Sequence, residues 1–203
     1  MRVAVLGGGL LGCCTALALV ERGVRVALYD RCPALLTRAA VANEGKIHLG
    51  YMYAGDSSLA TARTMIRGAL DFAPLIHRWV GIEPQAIPRS APAVYLLHRE
   101  SQRTLSEASA HLAAVHALVA EAAAGRPGDY FGQDLAAPPR RWSGAEHAEW
   151  FDPETSLAAF TTQELAVEPV ALAAAVRDRV MAEAAIELRL LTEVLGVGTA
   201  PQV

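Results

Sequence analysis

The sequence contains little cysteine and no excess of basic charge. Its three cysteines are Cys13, Cys14 and Cys32, and their spacing forms neither a disulfide framework nor a metal-binding pattern. We therefore expect a reducing, cytoplasmic environment and no bound metal. With 18 Lys and Arg residues against 21 Asp and Glu residues, the chain offers no basic field for a nucleic acid backbone.

Charged residues are also scarce. They make up 19% of the 203 residues, whereas hydrophobic residues make up 53%. This composition excludes a disordered chain, and the length suffices for one domain or two small ones. The apolar run of residues 3–20 superficially resembles a signal peptide or a membrane span. We expect neither, because three consecutive glycines interrupt that run and a second apolar strand follows it.

Residues 3–30 have the pattern of strand, glycine turn, helix and strand. Val3–Leu6 is apolar throughout, which is typical of a parallel strand buried on both faces. A helix is predicted over about Leu10–Arg22 and a second strand over Val24–Tyr29. The G-x-G-x-x-G pattern of the turn is filled by Gly7, Gly9 and Gly12. The sequence therefore predicts a dinucleotide-binding βαβ unit.

This unit also indicates which dinucleotide binds. The unpaired amides and the positive dipole end of the helix suit a diphosphate placed over the turn. Asp30 follows the second strand, 18 positions after Gly12, where a carboxylate can accept both ribose hydroxyls. Because its charge would repel a 2′-phosphate, NAD or FAD is favoured over NADP.

A second informative stretch is NEGKIHLGYMYAGD, which covers Asn43–Asp56. Together with the first thirty residues it resembles the FAD-dependent oxidoreductases of the D-amino acid oxidase superfamily, in which a segment N-x-G-x-I-H-x-G runs beside the flavin. The matching positions here are Asn43, Gly45, Ile47, His48 and Gly50, and Lys46 stands where glycerol phosphate enzymes of the family also carry a basic residue.

The resemblance implies an α/β fold, with a Rossmann-like FAD-binding domain and a partial α+β substrate domain. It implies oxidation of a small amine, amino acid or 2-hydroxy acid by hydride transfer to FAD. The implied cofactor-binding residues are Gly7, Gly8, Gly9, Leu11, Gly12, Asp30, Arg31, Asn43, Gly45, Lys46, Ile47, His48 and Val194. His48 is also the catalytic candidate, and the alternative for it is a histidine packed in a loop against Tyr51 or Tyr53.

The rest of the chain is expected to add a substrate-side region and a return to the first domain. We predict domains at 1–81, 82–165 and 166–203, and a long helix after Asp56 or Ser57 that Pro74 kinks or ends. A capping box at Ser143 and Glu146 predicts a short helix, and Glu193–Val197 is expected to follow the last strand as part of the returning sheet. Arg89, Tyr95 and Arg99 are candidate substrate contacts, for which surface roles are favoured.

The end of the sequence leaves alternatives open. The chain stops at Ala200–Val203, whereas members of the resembling family continue, so three alternatives fit: a truncated gene product, a fragment completed by another chain, and a non-catalytic remnant. The expected protein partner is a completing chain or, as a homo-oligomer, a second copy. A NAD-linked Rossmann oxidoreductase is the other alternative. We expect a small-molecule substrate and neither a nucleic acid partner nor a membrane span.

Overall fold

The computed structural model describes residues 1–198. The last residues of the sequence, Ala200–Val203, lie outside this range. The elements in chain order are β1 (Arg2–Leu6), α1 (Leu10–Glu21), β2 (Arg25–Tyr29), β3 (Lys46–Ile47), α2 (Ala60–Val80), β4 (Val94–His98), α3 (Leu105–Ala123), β5 (Arg140–Arg141), α4 (Gly144–Trp150), β6 (Ser156–Thr161), β7 (Leu165–Ala166), α5 (Pro169–Met181) and β8 (Ile186–Arg189). A short 3₁₀ helix, Pro84–Ala86, precedes β4.

The chain forms two compact units. Unit 1 contains Met1–Glu44, Ile76–Glu83 and the chain from Glu168 onward, and unit 2 contains Gly45–Leu75 and Pro84–Val167. The predicted domain division at 1–81, 82–165 and 166–203 stays a prediction.

Unit 1 is built on a parallel sheet with the strand order β1, β2, β8. The register pairs Val3 with Val26, and Val26 with Ile186. Helices α1 and α5 contact each other beside this sheet, and their apolar residues Leu17 and Val176 are buried. Because the strands are parallel, their carboxyl ends lie along one edge, where ligands bind in open α/β sheets.

The turn between β1 and α1 depends on a very close backbone approach. A Cβ atom added at Gly12 would lie 1.8 Å from the carbonyl oxygen of Gly7, so no side chain fits at this position. A Cβ atom added at Gly9 would meet nothing within 4 Å, and the φ of Gly9 is −79°, an ordinary value for any residue. The packing of the turn therefore requires glycine at position 12 but not at position 9.

Unit 2 contains an antiparallel sheet with the strand order β4, β6, β5, and a separate antiparallel pair of β3 and β7. Helix α3 begins with a complete capping box formed by Thr104 and Glu107. The box predicted for α4 is only half formed. The Ser143 hydroxyl accepts from the Glu146 amide at 3.2 Å, but the Glu146 carboxylate binds Arg140 at 2.7 Å instead.

Of the two outcomes predicted for Pro74, the end of the long helix is wrong, because α2 continues to Val80, whereas a kink stays a prediction. A proline has no N–H to give to the carbonyl four residues earlier, which is that of Leu70. Arg126 supplies the missing donor, since its Nη2 lies 3.3 Å from the Leu70 oxygen and 2.7 Å from Asp71 Oδ1. A side chain from the loop after α3 thus supplies the donor that the helix lacks.

The expectation of a returning strand at Glu193–Val197 is also wrong, because residues 193–197 have no regular secondary structure. The Thr192 amide still donates to the Asp30 carbonyl at 2.9 Å, which holds the start of the segment beside β2. Beyond it, Leu195 is 91% exposed. Apolar strand character alone does not form a strand where no neighbouring strand pairs with the segment.

Gly12→Ala is expected to lower the free energy of unfolding by about 3 kcal/mol, because the new methyl group would overlap the Gly7 carbonyl. Gly9→Ala is the matched control and should change stability by less than about 0.5 kcal/mol. Urea unfolding monitored by circular dichroism measures both variants. Equal stability of Gly12→Ala and wild type would contradict the close approach.

The contact between Arg126 and the Leu70 carbonyl is tested by a double-mutant cycle with Pro74. Arg126→Met should cost about 2 kcal/mol in the wild type and about 1 kcal/mol less in a Pro74→Ala background, where the alanine N–H restores the helical hydrogen bond. Arg63→Met, at an exposed position of α2, is the control. Equal costs of Arg126→Met in both backgrounds would show that Arg126 acts only through its carboxylate partners, Asp71 and Asp129.

Candidate functional site

The first part of the candidate site lies at the carboxyl edge of the unit 1 sheet. The Gly7 amide donates to the Tyr29 carbonyl at 2.8 Å, which ties the glycine turn to the end of β2. The Asp30 amide donates to the Arg189 carbonyl at 3.0 Å, which ties the next residue to the end of β8. The three strand ends therefore hold the turn and Asp30 together.

The Asp30 carboxylate is bound by the backbone of this turn. Its Oδ2 accepts from the Gly8 amide at 2.6 Å, and its Oδ1 accepts from the Cys32 amide at 2.7 Å. Partial burial works to raise the pKa of Asp30, but the amides of Cys32 and Gly8 outweigh it and hold that pKa below its ordinary value. Each oxygen keeps further acceptor capacity, because a carboxylate oxygen has two lone pairs.

Two clefts flank Asp30. One, of about 280 Å³, is lined by residues that include Gly7, Asp30, Arg31 and Val194. The other, of about 390 Å³, is lined by Gly8, Gly9, Asp30, Asn43 and neighbouring residues. The structure thus brings together the predicted cofactor-binding residues of unit 1, with two exceptions. Gly12 packs against the Gly7 carbonyl, and the side chain of Leu11 projects into solvent, with the residue 83% exposed.

The start of α1 fits a diphosphate. Its N-cap residue is Gly9, which has no side chain to accept from the first amides, and its first turn has no acidic residue. The amides of the first turn therefore remain available for an anion. The open space beside Gly9 would let a phosphate approach this backbone. These features fit the diphosphate of a dinucleotide, and Asp30 offers a carboxylate acceptor beside it.

The second part of the candidate site is the segment Lys46–Tyr51 of unit 2. Its β3 pairs with β7, with Ile47 opposite Leu165. The Tyr130 hydroxyl lies between these strands, where it donates to the Ile47 carbonyl at 2.6 Å and accepts from the Leu165 amide at 3.1 Å. This side chain, which sequence reasoning missed, fixes the segment that the family resemblance assigns to the flavin.

The same segment then turns sharply onto α2. Gly50 has φ of +99°, and a Cβ atom there would lie 2.8 Å from the Cα atom of Ala62. Only glycine suits this conformation and this distance. The last glycine of the N-x-G-x-I-H-x-G pattern, Gly50, is therefore explained by the packing of this turn on α2.

A buried carboxylate organises this turn. Glu164 is 0% exposed, and its Oε1 accepts from the Leu49 amide at 2.6 Å and lies 3.4 Å from the Tyr51 amide. Its Oε2 accepts from the Tyr95 hydroxyl and lies 3.4 Å from His48 Nδ1. Burial and the negative charge of Glu164 raise the pKa of Tyr95, so its phenol stays protonated and donates.

Sequence reasoning did not identify Glu164. The one available signal was its position as the single charged residue among residues 157–167, most of which are apolar. A charged side chain is almost never fully buried unless it is paired. In this case the partners come from sequence positions 69 to 115 residues away.

His48 is partly buried between two neighbours. Its side chain is 18% exposed, and its ring packs edge-on against Tyr53, with 5.8 Å between the ring centroids. The packed histidine that was considered as the alternative is therefore observed for Tyr53. The Tyr51 hydroxyl instead bonds Gln163 at 3.3 Å. A role of His48 beside the flavin remains a prediction.

The three substrate candidates have different surroundings. Tyr95 is half-buried, and its hydroxyl donates a hydrogen bond to Glu164. Lys46 Nζ lies over the Tyr95 ring, 4.8 Å from its centroid. Arg89 and Arg99 are exposed, and the nearest polar contact of Arg99 is the Pro153 carbonyl at 2.6 Å. Among residues 1–198, no group of three or more His, Cys, Asp or Glu side chains could hold a metal ion. None of the helices within that range is long and apolar enough to cross a membrane.

The bonds to Asp30 predict a pH-dependent stability. Because the pKa of Asp30 is lower in the folded state than in the unfolded chain, its contribution is present above about pH 4 and is lost as the pH falls through the folded value. Asp30→Asn should therefore be less stable than wild type at pH 7, and the difference should shrink between about pH 4 and pH 2. Asp178→Asn, on an exposed position of α5, is the control. A difference in melting temperature that persists unchanged at about pH 2 would contradict this role.

Comparison with solved structures shows the fold. Glycine oxidase from Geobacillus kaustophilus superposes with a TM-score of 0.61 at 20% identity, over 95% of this chain and 48% of that chain. L-alpha-glycerophosphate oxidase from Mycoplasma pneumoniae, dithionite-reduced with FAD bound, superposes with a TM-score of 0.61 at 21% identity, over 96% of this chain and 45% of that chain. The chain thus spans less than half the length of either structure.

Comparison of sequences shows the family. Over 82 residues the chain is 37% identical to kynurenine 3-monooxygenase from Yarrowia lipolytica, which covers 38% of this chain and 18% of that protein. The family model described as DAO, FAD dependent oxidoreductase, matches residues 2–203. The predicted family, the α/β fold class and FAD as the family cofactor are therefore confirmed. The chain belongs to the DAO family of FAD-dependent oxidoreductases.

Proposed function

We propose that this chain binds FAD at the carboxyl edge of unit 1 and serves the oxidation of a small amine, amino acid or 2-hydroxy acid. The observation that carries the proposal is the meeting of the open α1 start, the glycine turn and the Asp30 carboxylate at two adjoining clefts. Backbone amides there suit a diphosphate, and the carboxylate suits an unphosphorylated ribose.

Each residue of this edge has a distinct proposed role. The backbone amides of Gly9 and Leu11 would bind the diphosphate, and Gly12 would keep the turn close enough to α1 for them to converge. The remaining lone pairs of Asp30 would accept the ribose hydroxyls. Arg31 and Val194 line the smaller cleft and would contact the adenine.

Lys46, Ile47 and His48, with Asn43 and Gly45 before them, are proposed to lie beside the flavin ring, as the family resemblance implies. When bound, FAD supplies the hydride acceptor for the oxidation. The chain would supply position and charge, and His48 is the candidate that takes the proton from the substrate nitrogen or oxygen. The two structural neighbours are named for glycine and for a glycerophosphate, which supports an amino acid or an alcohol as the substrate class.

Completion of the substrate side by another chain or by a second copy stays a prediction. The NAD-linked alternative would use the same glycine turn and the same carboxylate. It is separated from the proposal by ligand preference, and the resemblance in Asn43–Gly50 together with membership of the DAO family favours a flavin.

FAD is expected to raise the melting temperature of the purified chain more than NADH does, and ADP is expected to compete with FAD. Gly9→Ala should weaken FAD binding by about tenfold or more, because its methyl group would occupy the space through which a phosphate reaches the backbone. Its unchanged stability without ligand serves as the internal control. Stronger stabilisation by NADH than by FAD would contradict the proposal.

A further inference from the structure

The Glu164 carboxylate faces four groups, and three of them donate hydrogen bonds to it. These are the amides of Leu49 and Tyr51 at Oε1, and the hydroxyl of Tyr95 at Oε2. The fourth is His48 Nδ1, at 3.4 Å from Oε2. A carboxylate that receives donors on both oxygens is an acceptor at every position.

This environment decides which ring nitrogen of His48 carries the proton. An unprotonated Nδ1 would place its lone pair near a negatively charged oxygen, which is repulsive. A protonated Nδ1 would instead place its positive N–H near that oxygen. Among residues 1–198 this buried nitrogen makes no hydrogen bond, so its 3.4 Å approach to Glu164 Oε2 is the charge contact that acts on it. The carboxylate therefore selects the tautomer, as carboxylates do for histidines in other sites.

We propose that Glu164 is a positioning residue that holds neutral His48 as the Nδ1–H tautomer and so leaves Nε2 free to accept a proton. The same carboxylate holds the backbone of Leu49 and Tyr51, so the ring and the turn that carries it are fixed by one group. The tautomer follows from the geometry of unit 2 alone. Acceptance of a proton from a substrate amine or hydroxyl by Nε2 rests on the proposed function.

The substitution Glu164→Gln tests this with little change in shape. The carbonyl oxygen of the new side-chain amide would still accept the hydrogen bonds from the Leu49 and Tyr51 backbone amides, which require an acceptor. The NH₂ group of that amide would then replace Oε2 and face Tyr95 and His48 Nδ1 as a donor. The Tyr95 oxygen can accept as well as donate, but Nδ1 can accept only if it loses its proton. The variant should therefore move the proton of neutral His48 from Nδ1 to Nε2.

Nitrogen-15 NMR of the imidazole rings in the 203-residue chain measures this directly at a pH where His48 is neutral. The chain has six histidines, so His48 is assigned by the signal that is lost in His48→Gln. We expect predominantly Nδ1–H in the wild type and predominantly Nε2–H in Glu164→Gln. Tyr95→Phe is the matched control, because it removes a donor from the same oxygen and leaves the carboxylate, so it should retain Nδ1–H.

The outcomes separate positioning from a general structural role. A wild-type His48 found as Nε2–H would overturn the proposal, and that measurement does not require any variant to fold. An unchanged tautomer in a folded Glu164→Gln variant would also overturn it, as would equal shifts in Glu164→Gln and Tyr95→Phe. The spectra are recorded without FAD. Failure to bind FAD would therefore count against the proposed function and leave the tautomer result intact.

Discussion

The approach of Gly12 to the Gly7 carbonyl is the constraint on which unit 1 depends. A Cβ atom at Gly12 would lie 1.8 Å from that oxygen, so the backbone of the turn and the first turn of α1 are nearly in contact. This contact aims the first amides of α1 at the carboxyl edge of the sheet, where Asp30 follows β2. The Asp30 carboxylate in turn accepts a hydrogen bond from the Gly8 amide at 2.6 Å, which ties the glycine turn to the end of β2. The nucleotide-binding geometry is therefore a property of the backbone.

In unit 2 the candidate site is held by side chains and not by a regular sheet. Its segment Lys46–Tyr51 contains only a two-residue strand, which gives little backbone pairing to hold it. Glu164, Tyr130 and the close contact of Gly50 with Ala62 supply the missing constraints. A buried carboxylate is costly unless it is satisfied, and Glu164 is satisfied by groups of the very turn that it holds. Fixing the turn and orienting His48 are thus one interaction.

Sequence reasoning succeeded where the physics is local. The glycine spacing, the apolar strands and the position of Asp30 predicted the βαβ unit, and the family and its cofactor were confirmed. It failed where distant groups decide. Pro74 does not end α2, because Arg126 replaces the lost donor from 56 residues away. Glu164 escaped notice because its burial depends on partners remote in sequence, and Tyr95 was favoured as a surface residue for the same reason.

The central claim is that the glycine turn and Asp30 form the binding site for the adenosine diphosphate part of FAD. The most direct test is to follow the backbone amide signals of the labelled chain by NMR while FAD is added. The account predicts that the largest changes fall on the amides of residues 7–12 and on those next to Asp30. Saturable changes confined to other residues, or no changes at millimolar FAD, would contradict it.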